Sequence, residues 1–197
     1  MKLTSPVFEN GQSIPAIYSR DGDNISPPLH WTDAPSSTKS FALIVDDPDA
    51  PSGVFTHWVI FNLPGQMQAL DREVPEGGHY GSEAIQGRND YGGIGYGGPQ
   101  PPSGEHRYFF KLYALDKKLE LAEGCSKEDV LNAMSGHVLD QAELMGLYAF
   151  QKGPEMEREL REGRAHEDAY DLAARKNQFQ DESDEYDQSD EAIQKAG

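Results

Sequence analysis

The chain is 197 residues long and carries 34 acidic against 17 basic side chains, a formal net charge of −17. Cations this scarce argue against a nucleic-acid binder, which needs Lys and Arg set against phosphates, and the single cysteine, Cys125, excludes an internal disulfide framework or a cysteine-rich zinc module. The start of the chain lacks the apolar run of a secretory leader, and no stretch approaches the ~20 apolar residues that span a bilayer, so a cytoplasmic protein without stable membrane insertion is expected.

Taken in chain order, the first signal is a turn around Pro27 and Pro28. Residues 41–45 (Phe41, Ala42, Leu43, Ile44, Val45) form a short run of strand formers that stops at Asp46, Asp47 and Pro48. Two more strands are expected over 55–63 and 106–115, and a fourth over 147–151. Pro and Gly clusters at 47–53, 75–78 and 91–104 separate them. Before the last strand, Ser126 with Asp129 three residues on reads as a capping box. Val130, Met134, Val138, Ala142 and Met145 then recur at about four-residue spacing, which predicts a helix ended by Gly146.

Residues 1–152 hold 20 acidic and 11 basic side chains, and residues 153–197 hold 14 and 6. The second segment is therefore more than twice as dense in charge and poor in large apolar groups. A folded domain over 1–152 is expected, followed by an acidic tail over 153–197, helical over 154–178 and disordered beyond, because such composition buries too little surface to offset ordering entropy. The whole reads as mainly β, an antiparallel β-sandwich with one or two packed helices and a charged extension.

Several local patterns invite chemistry and fail on context. Gly93, Gly95 and Gly98 satisfy the dinucleotide spacing G-x-G-x-x-G, but Pro99, Pro101 and Pro102 follow where a helix would have to begin. What remains is a glycine loop, either a plain surface turn or a source of backbone N–H groups for an anion. Ser135, His137 and Asp140 fall within the expected helix, where their spacing does not give nucleophile, base and orienter geometry. Cys125 reads as structural. Strand parity says more: Asp47 shares a face with Phe41, Leu43 and Val45; His57 with Phe55, Val59, Phe61 and Leu63; His106 and Tyr108 with Phe110 and Leu112. Polar groups thus end three apolar faces and would converge on one small cavity.

Asp47-Pro48-Asp49-Ala50-Pro51, His57-Trp58 and the run from Gly98 to Tyr108 (GPQPPSGEHRY) resemble the signature segments of the phosphatidylethanolamine-binding protein family, in its bacterial and archaeal, Raf-kinase-inhibitor-like branch. Ser26-Pro27-Pro28-Leu29-His30-Trp31 and the residues from Gly136 to Gly146 add to the match, which covers most of residues 1–152. The resemblance implies a β-sandwich-like fold and a pocket for phosphate, phosphoryl headgroups or other small anions. It implies a pocket built from Asp47, Asp49, His57, His106 and Tyr108, with Gly98 and Pro99 on the adjacent loop.

The physical expectation beside it is that the imidazoles donate N–H bonds to a phosphoryl oxygen, Tyr108 donates its hydroxyl, and the carboxylates orient the rings. A net charge of −17 opposes anions at long range, but screening over ~8 Å at physiological salt leaves the outcome to local donors. The function expected is therefore binding, without catalysis, cofactor or metal, of a small phosphorylated ligand or of a phosphoprotein such as a kinase that it would inhibit; the resemblance also admits a homodimer. The rivals are a metal-dependent hydrolase using the two histidines and an aspartate, and a phospholipid headgroup binder.

Overall fold

A strand buried along its whole length needs cover on both faces, and Ser40–Asp47 (β4) is buried at all eight positions. The computed structural model, which describes residues 1–149, 158 and 161–165, supplies that cover from two directions. The strands are Lys2–Thr4 (β1), Gln12–Ser13 (β2), Leu29–Thr32 (β3), β4, Phe55–Pro64 (β5), Ala69–Leu70 (β6), His79–Tyr80 (β7), Ala84–Gln86 (β8), Glu105–Leu115 (β9) and Val138–Ala149 (β10), with helix Lys127–Met134 (α1) before the last. They form a three-stranded sheet, β1-β3-β6, and a seven-stranded sheet, β2-β10-β9-β4-β5-β8-β7. The pairings are antiparallel except β2 with β10, which is parallel. The expected mainly β, two-layer architecture is thus the observed one.

Phe41, Leu43 and Val45 of β4 enter the main core between the sheets, where Leu29, Trp31 and Leu70 come from the small sheet and Tyr108, Phe110 and Leu112 from β9. The alternate residues Ala42 and Ile44 face outward and are covered by Leu119 and by Val130 and Met134 of α1. The helix begins with the expected capping box: Ser126 Oγ accepts from Asp129 N, and the Asp129 carboxylate accepts from Ser126 N. A buried carboxylate on the same outer face, Asp46, accepts from Lys111 Nζ of β9 at 3.2 Å and Lys127 Nζ of α1 at 2.9 Å. It therefore ties the helix to the sheet.

The helix is much shorter than its apolar spacing suggests. It stops at Met134, Gly136 takes φ +77°, and residues 138–149, expected to be helical as far as 146, form β10 against β9. Here the pattern that decides is period two, with Leu144, Gly146 and Tyr148 buried. Gly146 does not end a helix; it packs so closely that an added Cβ would lie 2.4 Å from Ile14 Cγ1. Ser135, His137 and Asp140 consequently do not share a helix. His137 Nδ1 lies 2.9 Å from Asp116 Oδ1, while Asp140 accepts from the Met1 amino group at 2.7 Å.

Parity along β5 is also reset. Val45 pairs with Trp58 but Asp46 with Thr56, so His57 is an extra residue; Phe41 pairs with Leu63 but Leu43 with Ile60, so a second one lies at Phe61 and Asn62. Such bulges re-aim side chains. Val59 and Phe61 face α1, whereas Trp58, Ile60 and Leu63 face the main core. The expected common face of residues 55, 57, 59, 61 and 63 is therefore split.

Of the expected tail, residues 158 and 161–165 are helical, Arg164 pairs with Asp23, and Arg158 lies 3.7 Å from Glu162. The rest of the tail, including the segment expected to be disordered, lies outside the described residues.

Candidate functional site

The first bulge of β5 matters because it turns His57 toward β9 instead of toward α1. Its ring meets the Tyr108 ring edge to face, with centroids 5.1 Å apart, and is flanked by Phe55 at 5.0 Å and Tyr91 at 5.5 Å. His57 Nδ1 lies 2.6 Å from the Gly97 carbonyl oxygen, and Gly97 N donates back to His57 O at 2.9 Å. A carbonyl only accepts, so Nδ1 carries the proton and Nε2 is left without a partner among the described residues. Burial pushes the imidazole below its ordinary pKa of 6.5; the bond to Gly97 and the Asp47 charge oppose that shift without cancelling it.

On β9, His106 and Tyr108 share the core-directed face, as alternation requires. His106 Nδ1 is 2.7 Å from Asp47 Oδ2, and the other oxygen of that carboxylate accepts from Asp49 N at 2.8 Å, the local turn that aspartate favours after a strand. The pair is almost fully buried, and among the described residues the second ring nitrogen has no hydrogen-bond partner. The Tyr108 hydroxyl is buried with no hydrogen-bond partner among the described residues, and burial above all, with the Asp47 charge second, raises its pKa, so it stays a donor.

Asp47, His57, His106 and Tyr108 line one cavity of about 250 Å³, whose remaining wall includes Phe55, Tyr91, Pro101 and Pro102. The other three residues expected at the site stand behind its wall. Asp49 is engaged by Arg107 through Nε at 2.9 Å, Nη2 at 2.8 Å and the backbone N at 3.0 Å, and those hydrogen bonds hold its carboxyl down to about 2. Gly98 donates its N–H to Asn24 Oδ1 at 2.8 Å, and Pro99 accepts from Arg20 N at 3.0 Å. Amides of the glycine loop are spent in the same way: Gly92 and Gly93 on Asn89, Gly95 on Gly87, Gly97 on His57. The loop shapes the wall and supplies the acceptor for His57, while its N–H groups do not face a ligand. Tyr91 had no sequence signal beyond lying in a glycine-rich stretch, and Phe55 was legible only as a strand residue.

Among the described residues no group of three His, Cys, Asp or Glu side chains is arranged to hold a metal ion. A larger hollow of about 410 Å³, lined by Lys111, Tyr113, Gln141, Ala142 and Glu143, lies over β9 and β10 away from the histidines, and its lysine is already bound to Asp46. Cys125 is partly buried, and burial raises its thiol pKa, which opposes reactivity. No helix among the described residues is long and apolar enough to cross a membrane.

A two-layer β fold with a cavity lined by two imidazoles at one end of its large sheet is a β-sandwich carrying a candidate ligand site. The comparisons make this specific. The model of the phosphatidylethanolamine-binding protein family matches residues 4–149, and the chain belongs to that family. It is 57% identical over 148 residues to the UPF0098 protein of Methanothermobacter thermautotrophicus, covering 75% of this chain and 98% of the relative. The UPF0098 protein of Aquifex aeolicus is 49% identical, over 75% of this chain and 88% of its own. Among solved structures, the chain resembles CT736 of Chlamydia trachomatis, described as a phosphatidylethanolamine-binding protein homologue (TM-score 0.70, 44% identity, 76% of this chain and 97% of that one). E. coli YbcL, described as a member of the mammalian family, gives TM-score 0.70 at 32% identity over 76% and 98%.

Proposed function

We propose that the cavity binds small phosphorylated ligands, with the phosphoryl oxygens held by Nε2 of His57, Nε2 of His106 and the Tyr108 hydroxyl. The observation that carries this reading is that each imidazole has its Nδ1 tied within the protein, to Gly97 O and to Asp47, beside a tyrosine hydroxyl that has no partner among the described residues. Three polar atoms thus wait for one occupant in a shared cavity. A buried hydroxyl without a partner is costly, and a phosphoryl oxygen relieves that cost.

The chemistry also sets a proton requirement. With Nδ1 protonated and the ring neutral, His57 Nε2 is an acceptor, and an anion must bring or induce a proton there. Phosphate monoesters take up their second proton near pH 6, so either the ring or the ligand supplies it on mild acidification. Binding therefore strengthens as pH falls from 7.5 toward 6. A phosphorylated side chain on a partner protein would use the same contacts, and inhibition of a kinase would follow from them if that partner were one.

Calorimetric titration with inorganic phosphate and with phosphoethanolamine at pH 7.5 and 6.0 tests the reading. The expected result is binding that is tighter at pH 6.0 and lost in the His57→Ala, His106→Ala double variant. Absence of heat at both pH values, or unchanged binding in a folded double variant, would overturn it. Pull-down before and after phosphatase treatment then separates a phosphoprotein partner from a free metabolite.

A further inference from the structure

Among the described residues, Arg20 is an unspent cation set against the cavity-lining ring of Tyr91. Arg20 follows the buried Ser19 on the turn after Ala16–Tyr18, is exposed, and is fixed by its backbone N–H to Pro99 O. Its guanidinium carbon lies 4.1 Å from the centroid of the Tyr91 ring, and that ring lines the cavity and is itself 37% exposed. Stacking uses the flat face of a guanidinium and leaves the fork of N–H donors at its edge. Those donors have no acceptor among the described residues. Asp21, the nearest carboxylate in sequence, accepts from Tyr148 Oη at 3.2 Å and from Gln100 Nε2 at 3.3 Å, while Asp23 is taken by Arg164. The other arginine beside the cavity, Arg107, is committed to Asp49.

We propose that Arg20 is a second anion contact at the cavity mouth, and that the site selects small phosphorylated ligands bearing a second anionic group, a carboxylate above all, over alkyl phosphates of equal length. This rests on the reading of the cavity as a phosphoryl site. Three features carry it. The phosphoryl contacts and Arg20 flank the same ring, since His57 lies 5.5 Å from the Tyr91 centroid on which Arg20 stacks. The ring is pinned by Tyr91 Oη donating to Gly98 O at 3.2 Å, so the arginine platform is fixed relative to the histidines. And a volume of about 250 Å³ is roughly eight times the ~30 Å³ that a water occupies in the liquid, too large for a bare phosphate to fill. Planar bidentate pairing makes a carboxylate the best match for the free fork.

The test uses the full chain, with a series of linear carboxylates carrying a terminal phosphate ester, one to four methylenes long, each set against the alkyl phosphate of the same length. In the wild type, at one length or more, the carboxylate ligand should bind about fivefold tighter, as a partly exposed ion pair allows, and the preference should shrink as salt is raised. Arg20→Gln should abolish the preference while alkyl phosphates still bind; Arg20→Lys should restore part of it. Alkyl phosphates that bind with no carboxylate preference at any length, or an Arg20→Gln variant that keeps the preference, would overturn this proposal and leave the phosphoryl site standing. Failure of every phosphate to bind the wild type would remove both.

Discussion

The His57 and Tyr108 rings stand nearly perpendicular, at 80° with centroids 5.1 Å apart, so that a hydrogen-bonding nitrogen and an unpartnered hydroxyl are delivered to one cavity from two different strands. Only one of the two strands does this by regular geometry. β9 presents Tyr108 by plain alternation, whereas β5 presents His57 only through a bulge.

The depressed pKa of His57 has a sign that can be followed in solution. Above pH 6.5 the ring is neutral in both folded and unfolded chains, and its contribution to stability is fully present. As pH falls from 6.5 through the lower folded value, the unfolded chain takes up the proton first, and stability is lost. Urea midpoints of the ligand-free protein should fall over this window and fall less in His57→Gln, whereas added phosphate should stabilise the wild type more at pH 6 than at pH 7.5. Equal acid sensitivity of wild type and variant would refute the assignment.

Asp47→Asn should change the tautomer of His106. One oxygen of Asp47 is needed by Asp49 N, so an asparagine amide would turn its NH₂ toward His106 Nδ1 and force the ring proton to Nε2. Nitrogen chemical shifts should show Nδ1–H in the wild type and Nε2–H in the variant. Losing the charge of this buried partner should also cost about 1–3 kcal/mol in urea unfolding.

Gly98→Ala should destabilise by about 1–3 kcal/mol, because the new Cβ would sit 2.3 Å from the Tyr18 carbonyl oxygen, a backbone atom that cannot rotate away. Moving Gly98 also moves Gly97, the acceptor for His57, so phosphate affinity should drop with it. Gly93→Ala, where the nearest atom is 3.5 Å away, should be within ~0.5 kcal/mol of the wild type.

Asn62, buried at φ +59°, donates to Leu119 O at 2.9 Å and accepts from Leu119 N at 2.8 Å. Asn62→Ala removes both bonds and keeps the strained angle, for about 2–4 kcal/mol. Asn62→Gly loses the same bonds without the strain and should be milder by about 1 kcal/mol. Equal losses would show that the bulge does not depend on this angle.

The architecture and half of the cavity were legible in the sequence for different reasons. The run from Phe41 to Val45 and the alternation from His106 to Leu112 have the period of their structure, so β4 and the face of β9 could be placed. The strand from Val138 onward could not. Its apolar residues Val138, Ala142 and Met145 mimic a helical repeat, while the true period-two marker, Gly146, has no side chain to show which way it points. The face of His57 was hidden as well, since a bulge shifts parity without leaving a compositional trace; the positive φ at Asn62 reflects a residue tolerant of that angle, but many asparagines sit in ordinary turns. The carboxylate next to the site, Asp49, drew attention for its neighbours and proves to buttress Arg107 instead.

Asp46 and Asp47 are consecutive, and the first grips Lys111 and Lys127 on the helix side of the sheet while the second orients His106 on the other. The two surfaces are thereby joined across one peptide unit. Mutagenesis that reverses charge on α1 cannot serve as an innocent surface control for ligand measurements, because a carboxylate released there is the immediate neighbour of the one that aims the imidazole.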